Sequence, residues 1–207
     1  MIHNIFNRIE EAQATISGWC SAQKSRTLAS LIIGTRPKIT LEIGVWHGKS
    51  CIPMAMAHQH ILTGKVIAVD PWSAGCSVAG QVNPADKEWW NRQDIHEQAF
   101  HAFEVKVASL NLKEYVEIHR MHSDEFDPPE GIGLLSIDGN HGEQAIRDVE
   151  RYAPKVKSGG FLIADDVNWS GGSVSYALGL LPAMGFKLNY MVEDKESENQ
   201  WAVYQRA

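Results

Sequence analysis

Apolar residues recur along the chain with two periods, and the changes between them mark its elements. Ile5, Ile9, Ala12 and Ile16 stand at helical spacing, which predicts an amphipathic helix over residues 4–17, broken by Gly18. Leu28, Leu31 and Ile32 mark a second helix over 21–33, stopped by Gly34, after which Arg36-Pro37 forces extended chain. From residue 39 onward, short apolar runs alternate with helical stretches. ITLEIG (39–44), VIAVD (66–70), YVEIH (115–119), LLSID (134–138) and FLIADD (161–166) read as buried strands. Helices are expected at 49–62, about 87–110, 143–156 and 174–184; residues 71–86 read as irregular. FKLNYMV (186–192) and WAVYQ (201–205) flank the charged stretch EDKESENQ as a hairpin.

This alternation predicts a Rossmann-like α/β fold. A mostly parallel seven-stranded sheet would carry helices on both faces, a C-terminal antiparallel hairpin and an N-terminal helical extension over 1–36. The 207 residues suit a single domain, with an insertion at 71–100 that would serve as a lid or an interface. In such sheets ligands bind beyond the carboxyl ends of the strands, where every candidate motif of this chain lies.

Composition narrows the function. Lys and Arg number 19 against 25 Asp and Glu, a net charge of −6, so no surplus basic face exists to neutralise the phosphates of a nucleic acid. Cys20, Cys51 and Cys76 form no CxxC pair, which suits reduced thiols. No run reaches the roughly 18 consecutive apolar residues of a membrane helix. The first residues, MIHNIFNRIEEAQ, interrupt any leader-like stretch with Asn, Arg and Glu. A soluble, cytoplasmic protein is the expectation.

Glu42-Ile43-Gly44-Val45-Trp46-His47-Gly48-Lys49-Ser50 joins the first strand to a helix. Its glycines permit close backbone approach, and the helix start offers free N–H groups. A P-loop needs four residues between its glycines, and this turn has three. A dinucleotide fingerprint needs glycine where Trp46 stands. The remaining reading, E-x-G-x-x-x-G, resembles the first motif of class I S-adenosylmethionine (SAM)-dependent methyltransferases. Asp70, ending the second strand, is placed to accept the ribose hydroxyls of such a cofactor. The plainer alternative is that the glycines only turn the chain and Asp70 caps a loop.

Asp138 ends the fourth strand, and Asp165 with Asp166 ends the fifth. One strand-helix-strand crossover separates them, so the two ends should adjoin. Three carboxylates at one rim repel unless a cation or partner neutralises them, and oxygen-only ligands suit Mg²⁺, Mn²⁺ or Ca²⁺. The alternative is that Asp138 and Asp166 cap the following segments and face water.

The run from Ser136 to Val167, SIDGNHGEQAIRDVERYAPKVKSGGFLIADDV, is similar to the methyltransferase domain 24 group. That group includes metal-dependent O-methyltransferases of antibiotic sugars, such as macrocin O-methyltransferase; catechol-type O-methyltransferases share its plan more distantly. The resemblance spans about 39–170. It departs at Gly142, where the group often carries an aromatic residue. It implies a divalent metal, Mg²⁺ first, held by Asp138, Asp165 and Asp166. It also implies cofactor contacts from Glu42, Gly44, Trp46, Gly48 and Ser50, from Asp70, from Ser123 or Asp124, and from the edge of Asp138.

The expected activity is metal-assisted transfer of a methyl group from SAM to a hydroxyl of a small sugar- or catechol-like molecule. Asp138 and His141 are the candidate catalytic residues, since an imidazole close to the site can take the acceptor's proton at neutral pH. A metal-independent transfer with His141 as base, and a non-catalytic cofactor-binding protein, are the alternatives. Trp72, Trp89 and Trp90 would either cover the site or bury against the N-terminal helices or a second subunit. The expected partners are a small-molecule acceptor and a second copy of the chain, with neither nucleic acid nor membrane among them.

Overall fold

The computed structural model describes residues 2–79, 81, 83–196 and 199–207. Two helices, α1 (Ile2–Gln13) and α2 (Ala22–Thr35), precede the sheet. The strands are β1 (Ile39–Ile43), β2 (Lys65–Val69), β3 (Val116–His119), β4 (Ile132–Ile137), β5 (Val156–Ala164), β6 (Phe186–Asp194) and β7 (Asn199–Arg206). Between them run α3 (Cys51–Ile61), α4 (Ala74–Ser77), α5 (Pro84–Trp90), α6 (Gln93–Ser109), α7 (Glu143–Tyr152) and α8 (Ser173–Gly179). The spatial strand order is β3-β2-β1-β4-β5-β7-β6. The first five strands are parallel, and β7 runs antiparallel to both β5 and β6. The Rossmann-like sheet read from the sequence is therefore present.

Strand order reverses beside β1, which has β2 on one flank and β4 on the other; a crevice opens at such a switch point. Alternating strand residues feed two cores. On one face α1, α2, α3 and α6 pack Ile9, Leu28, Ile32, Met54 and Phe103 against Val66, Ala68 and Leu134. On the other, α7 and α8 pack Val149, Tyr152 and Leu178 against Leu41, Val69 and Leu135. Among the described residues no helix is long and apolar enough to cross a membrane.

The helix expected over 4–17 runs Ile2–Gln13 and gives way to a turn at 14–15, and other helix ends depart from the sequence expectations where proline or a side-chain cap intervenes. The helix expected over 143–156 stops at Tyr152, because Pro154 lacks the N–H that would continue it; a 3₁₀ turn follows and Val156 already belongs to β5. Pro182 likewise converts the end of the 174–184 helix into a 3₁₀ turn after Gly179. The helix expected at 87–110 is two. Asn83 caps α5 by accepting from the Ala85 N–H at 2.9 Å, the chain turns at Asn91, and α6 begins at Gln93. The 71–86 stretch expected to be irregular holds the single turn α4 and the first turn of α5. Residues 80 and 82 of the insertion, and 197 and 198 of the hairpin turn, lie outside the described residues.

Parallel register decides where the site lies. Ile43 pairs with Ile137, and Ile137 with Ala164, so β1, β4 and β5 end level. Their next residues, Gly44, Asp138 and Asp165, form one row, tied by Asp138 N–H donating to Ile43 O at 2.9 Å and Asp165 N–H to Ile137 O at 3.0 Å. Gly44 has φ +83°, and a Cβ there would overlap the Asp138 carbonyl. Only glycine lets β1 and β4 converge at this point.

Glu42 lies one step back on β1 and is fully buried. Ser136 Oγ donates to its Oε1 at 3.4 Å. Burial pushes its carboxyl up to about 8, with a hydrogen bond from Ser50 pulling the other way.

Two consequences are measurable. Gly44→Ala should destabilise the fold by about 3 kcal/mol or more, through overlap and a left-handed backbone together, read from urea unfolding. Glu42 stays protonated in the fold after the unfolded chain has ionised, so its contribution is present at low pH and is lost between its ordinary 4.5 and about 8. Over that window Glu42→Gln should flatten the fall of unfolding free energy by up to about 1.4 kcal/mol per pH unit.

Candidate active site

A cavity of about 470 Å³ opens over the carboxyl ends of β1, β2, β4 and β5. The glycine loop forms one wall. Val45 and Trp46 N–H donate to Asp70 Oδ2 at 2.8 and 2.9 Å, and Trp72 N–H donates to Oδ1 at 2.6 Å. Trp72 Nε1–H returns a bond to Trp46 O at 2.8 Å. Asp70 thus latches the loop after β1 to the loop after β2 while still lining the cavity. Burial raises its pKa, and the three backbone donors oppose that shift. Trp46 holds the left-handed backbone (φ +52°) that this latch requires of a non-glycine residue.

The other glycine-loop candidates separate. Gly44, Trp46 and Ser50 line the cavity. Gly48 (φ +82°) is needed elsewhere: a Cβ there would enter the Phe103 ring. Glu42 sits beneath the loop and not in the cavity lining. His47 lines the rim, its pKa lowered by burial. Lys49 reaches back to the linker between α1 and α2, donating to Gly18 O at 2.9 Å.

On the opposite side a buried polar network closes the cavity. Ser123 Oγ donates to Asp148 Oδ1 at 2.7 Å, and Gln144 Nε2 reaches Ser123 Oγ at 3.0 Å and Asp148 Oδ1 at 2.9 Å. Tyr152 OH donates to Ser123 O at 2.6 Å. Burial raises the Asp148 pKa against the bonds from Ser123 and Gln144. Asp124 turns outward, taking Gln144 Nε2 at 2.9 Å and Arg147 at 3.4 Å, and is not part of the lining. Gln144 and Asp148 went unassigned in the sequence, yet residues 144, 148 and 152 follow an i, i+4, i+8 stripe that puts them on one face of α7.

Asp138, Asp165 and Asp166 converge as expected: each offers one oxygen, and the three lie within 4.8 Å of one another. Asp166 takes a left-handed backbone (φ +52°), and its Oδ2 pairs with His141 Nε2. His141 stacks on Trp169 with centroids 4.2 Å apart. Asn199 Nδ2 donates to Asp165 Oδ1 at 3.0 Å.

A residue the sequence reading passed over sits among these acids. Lys24, on α2 and 1% exposed, places Nζ 2.9 Å from Asp138 Oδ2 and in ion-pair contact with Asp165 Oδ2. Burial alone would lower its pKa, but the two carboxylates carry it well above the ordinary lysine value, so it remains an ammonium. Burial and the Asp138 charge raise Asp165 well above the carboxylate range; in Asp138 the Lys24 charge and hydrogen bonds outweigh burial and lower the pKa. The signal was present, since Lys24 continues the Leu28 and Ile32 stripe one turn earlier. Hard oxygen donors at this separation fit a divalent ion such as Mg²⁺.

The tryptophans divide. Trp72 is fully buried against Phe100 and Phe103, which is core packing. Trp90 packs on Trp46 at 4.9 Å, and Trp19 of the α1–α2 linker meets Trp89 at 6.3 Å and Trp90 at 6.0 Å. Trp19, Trp46 and Trp90 of this group line the cavity.

A model of the methyltransferase domain matches residues 41–167. No curated protein is significantly similar to the chain in sequence. Among solved structures, the O-methyltransferase NovP superposes with a TM-score of 0.67 at 20% identity, over 89% of this chain and 78% of that one. TomG from Streptomyces achromogenes, an O-methyltransferase of tomaymycin synthesis in complex with SAM, gives 0.65 at 12%, over 98% and 89%. An O-methyltransferase from Bacillus cereus with S-adenosylhomocysteine gives 0.65 at 14%, over 98% and 91%. At these identities the likeness is one of fold. The family match covers the glycine loop, Asp70 and all three aspartates: the chain belongs to the methyltransferase-domain family, as a class I SAM-dependent methyltransferase.

Proposed function

We propose that this enzyme methylates a hydroxyl oxygen of a small molecule with the help of a divalent cation, Mg²⁺ first. One observation carries the reading: three aspartate oxygens within 4.8 Å line the same cavity as the glycine loop, with His141 beside them. NovP and TomG, both O-methyltransferases of this fold, support oxygen as the acceptor atom. A cavity of this size admits a sugar or catechol ring beside the cofactor, and a net charge of −6 disfavours nucleic acid. Free Cys20, Cys51 and Cys76 suit a reducing, cytoplasmic setting.

The residues divide the work. Gly44, Val45 and Trp46, latched by Asp70, present backbone to the cofactor, and the Ser123–Gln144–Asp148 network offers hydrogen bonds to its far end. Asp138, Asp165 and Asp166 would hold the ion, which would supply Lewis acidity that makes the acceptor hydroxyl more acidic. His141, oriented by Asp166 and by its stack on Trp169, takes the hydroxyl proton. The tryptophans lining the cavity exclude water from the transfer.

Lys24 favours a second reading, transfer without a divalent ion. Its ammonium already offsets charge at Asp138 and Asp165, with His141 as the base.

Activity measured in EDTA against added Mg²⁺ separates the two. The first reading expects a loss of roughly 100-fold or more in chelator, restored by Mg²⁺; an unchanged rate selects the second. Asp138→Asn should cut kcat by about 10- to 100-fold while the SAM Kd, read by calorimetry, moves less than about threefold. His141→Gln should cost roughly 10²- to 10⁴-fold in kcat under either reading.

A further inference from the structure

We propose that Lys24 is a built-in competitor for the divalent ion, so that ion and ammonium exchange at the same oxygens of Asp138 and Asp165. The inference rests on the divalent-ion reading above and concerns how the site is loaded. Lys24 Nζ stands 2.9 Å from Asp138 Oδ2 and pairs with Asp165 Oδ2, two of the three carboxylates that would ligate. An Mg²⁺ ion at its usual distance of about 2.1 Å from the same Asp138 oxygen would stand at most about 5 Å from that ammonium. Two cations this close in a buried pocket repel strongly, and the Lys24 amine must leave its present place.

Lys24 is not a surface lysine that drifted inward. Ser21 Oγ accepts from Lys24 N–H at 3.1 Å and donates to Asp194, and Ala22 N–H donates to Glu196 at 3.1 Å, so the start of α2 is moored to the β6–β7 hairpin. The moored helix aims a 1%-exposed side chain at the acids. The third acid, Asp166, pairs with His141 and leaves Lys24 untouched. The protein therefore supplies one positive charge of its own where an ion carrying two would bind, and its affinity for that ion is set by the difference.

Binding of Mn²⁺ alone, followed by the electron paramagnetic resonance of the free ion, tests this without any turnover. Lys24→Met and Lys24→Gln should each bind Mn²⁺ at least about tenfold more tightly than the wild type, and Lys24→Arg should stay as weak as the wild type or weaker. Thermal unfolding checks the fold of each, and a variant that folds only when Mn²⁺ is added also supports the exchange. Folded Met and Gln variants that bind Mn²⁺ no more tightly than wild type overturn it, leaving the divalent-ion reading intact. Absence of binding in every protein overturns both. Should neither variant fold, the wild type decides. The side-chain ¹⁵N resonance of its buried lysine must shift as Mg²⁺ is titrated, and a resonance unmoved at saturation overturns the exchange.

Discussion

Three carboxylates meet at one rim because strand register leaves them no choice, and one buried ammonium makes the meeting tolerable. β1, β4 and β5 end level, so Gly44, Asp138 and Asp165 stand in a row with Asp166 next in the chain. Close, half-desolvated acids repel one another. Lys24, from a helix that precedes the sheet entirely, pairs with Asp138 and Asp165 and holds the Asp138 carboxyl below its ordinary value, while Asp165 stays raised by burial and by the Asp138 charge. The N-terminal helices are consequently part of the site and not an appendage to it. Their linker carries Trp19 to the cavity, and Lys49 of the glycine loop fastens that linker at Gly18.

Much of the fold was legible because apolar periodicity reports burial directly. The five parallel strands, the closing hairpin and the level strand ends all follow from short apolar runs bounded by glycine and aspartate. The convergence of Asp138 with Asp165 and Asp166 was legible too, because a single crossover joins neighbouring strands. Helix ends were less so. Pro154 and Pro182 stop their helices through a missing N–H, and Asn83 starts one through a side-chain bond, effects that periodicity does not carry. Lys24 was missed for a different reason. Its place on an apolar stripe shows that it is buried, but its partner lies 114 residues downstream, and nothing local names it.

The insertion after β2 illustrates how one aromatic stretch serves two ends. Trp72 faces inward, shares a hydrogen bond with the glycine loop and packs on α6, so it fixes the loop from behind. Trp89 and Trp90, on α5, face Trp46 and Trp19 instead. The turn at Asn91 that splits the expected long helix is what gives α5 a direction of its own, over the crevice. A single continuous helix could not both pack Phe103 in the core and place Trp90 at the cavity.

The cavity's two halves solve the same electrostatic problem by different means. Asp70 is stabilised by three backbone N–H groups, whose dipoles are fixed by the loops they belong to and need no counter-ion. Asp148 relies similarly on Ser123 and Gln144. That half is preorganised by hydrogen bonds and suits a ligand recognised by hydrogen bonds, as an adenosyl group is. Asp138 and Asp165 instead face a full positive charge on a side chain, the Lys24 ammonium. A carboxylate held by dipoles changes little when a ligand arrives, whereas one held by an ammonium can change its partner. One half of the cavity is thus held by fixed hydrogen bonds from backbone and side chains, and the other by the opposed charges of an ammonium and its carboxylates.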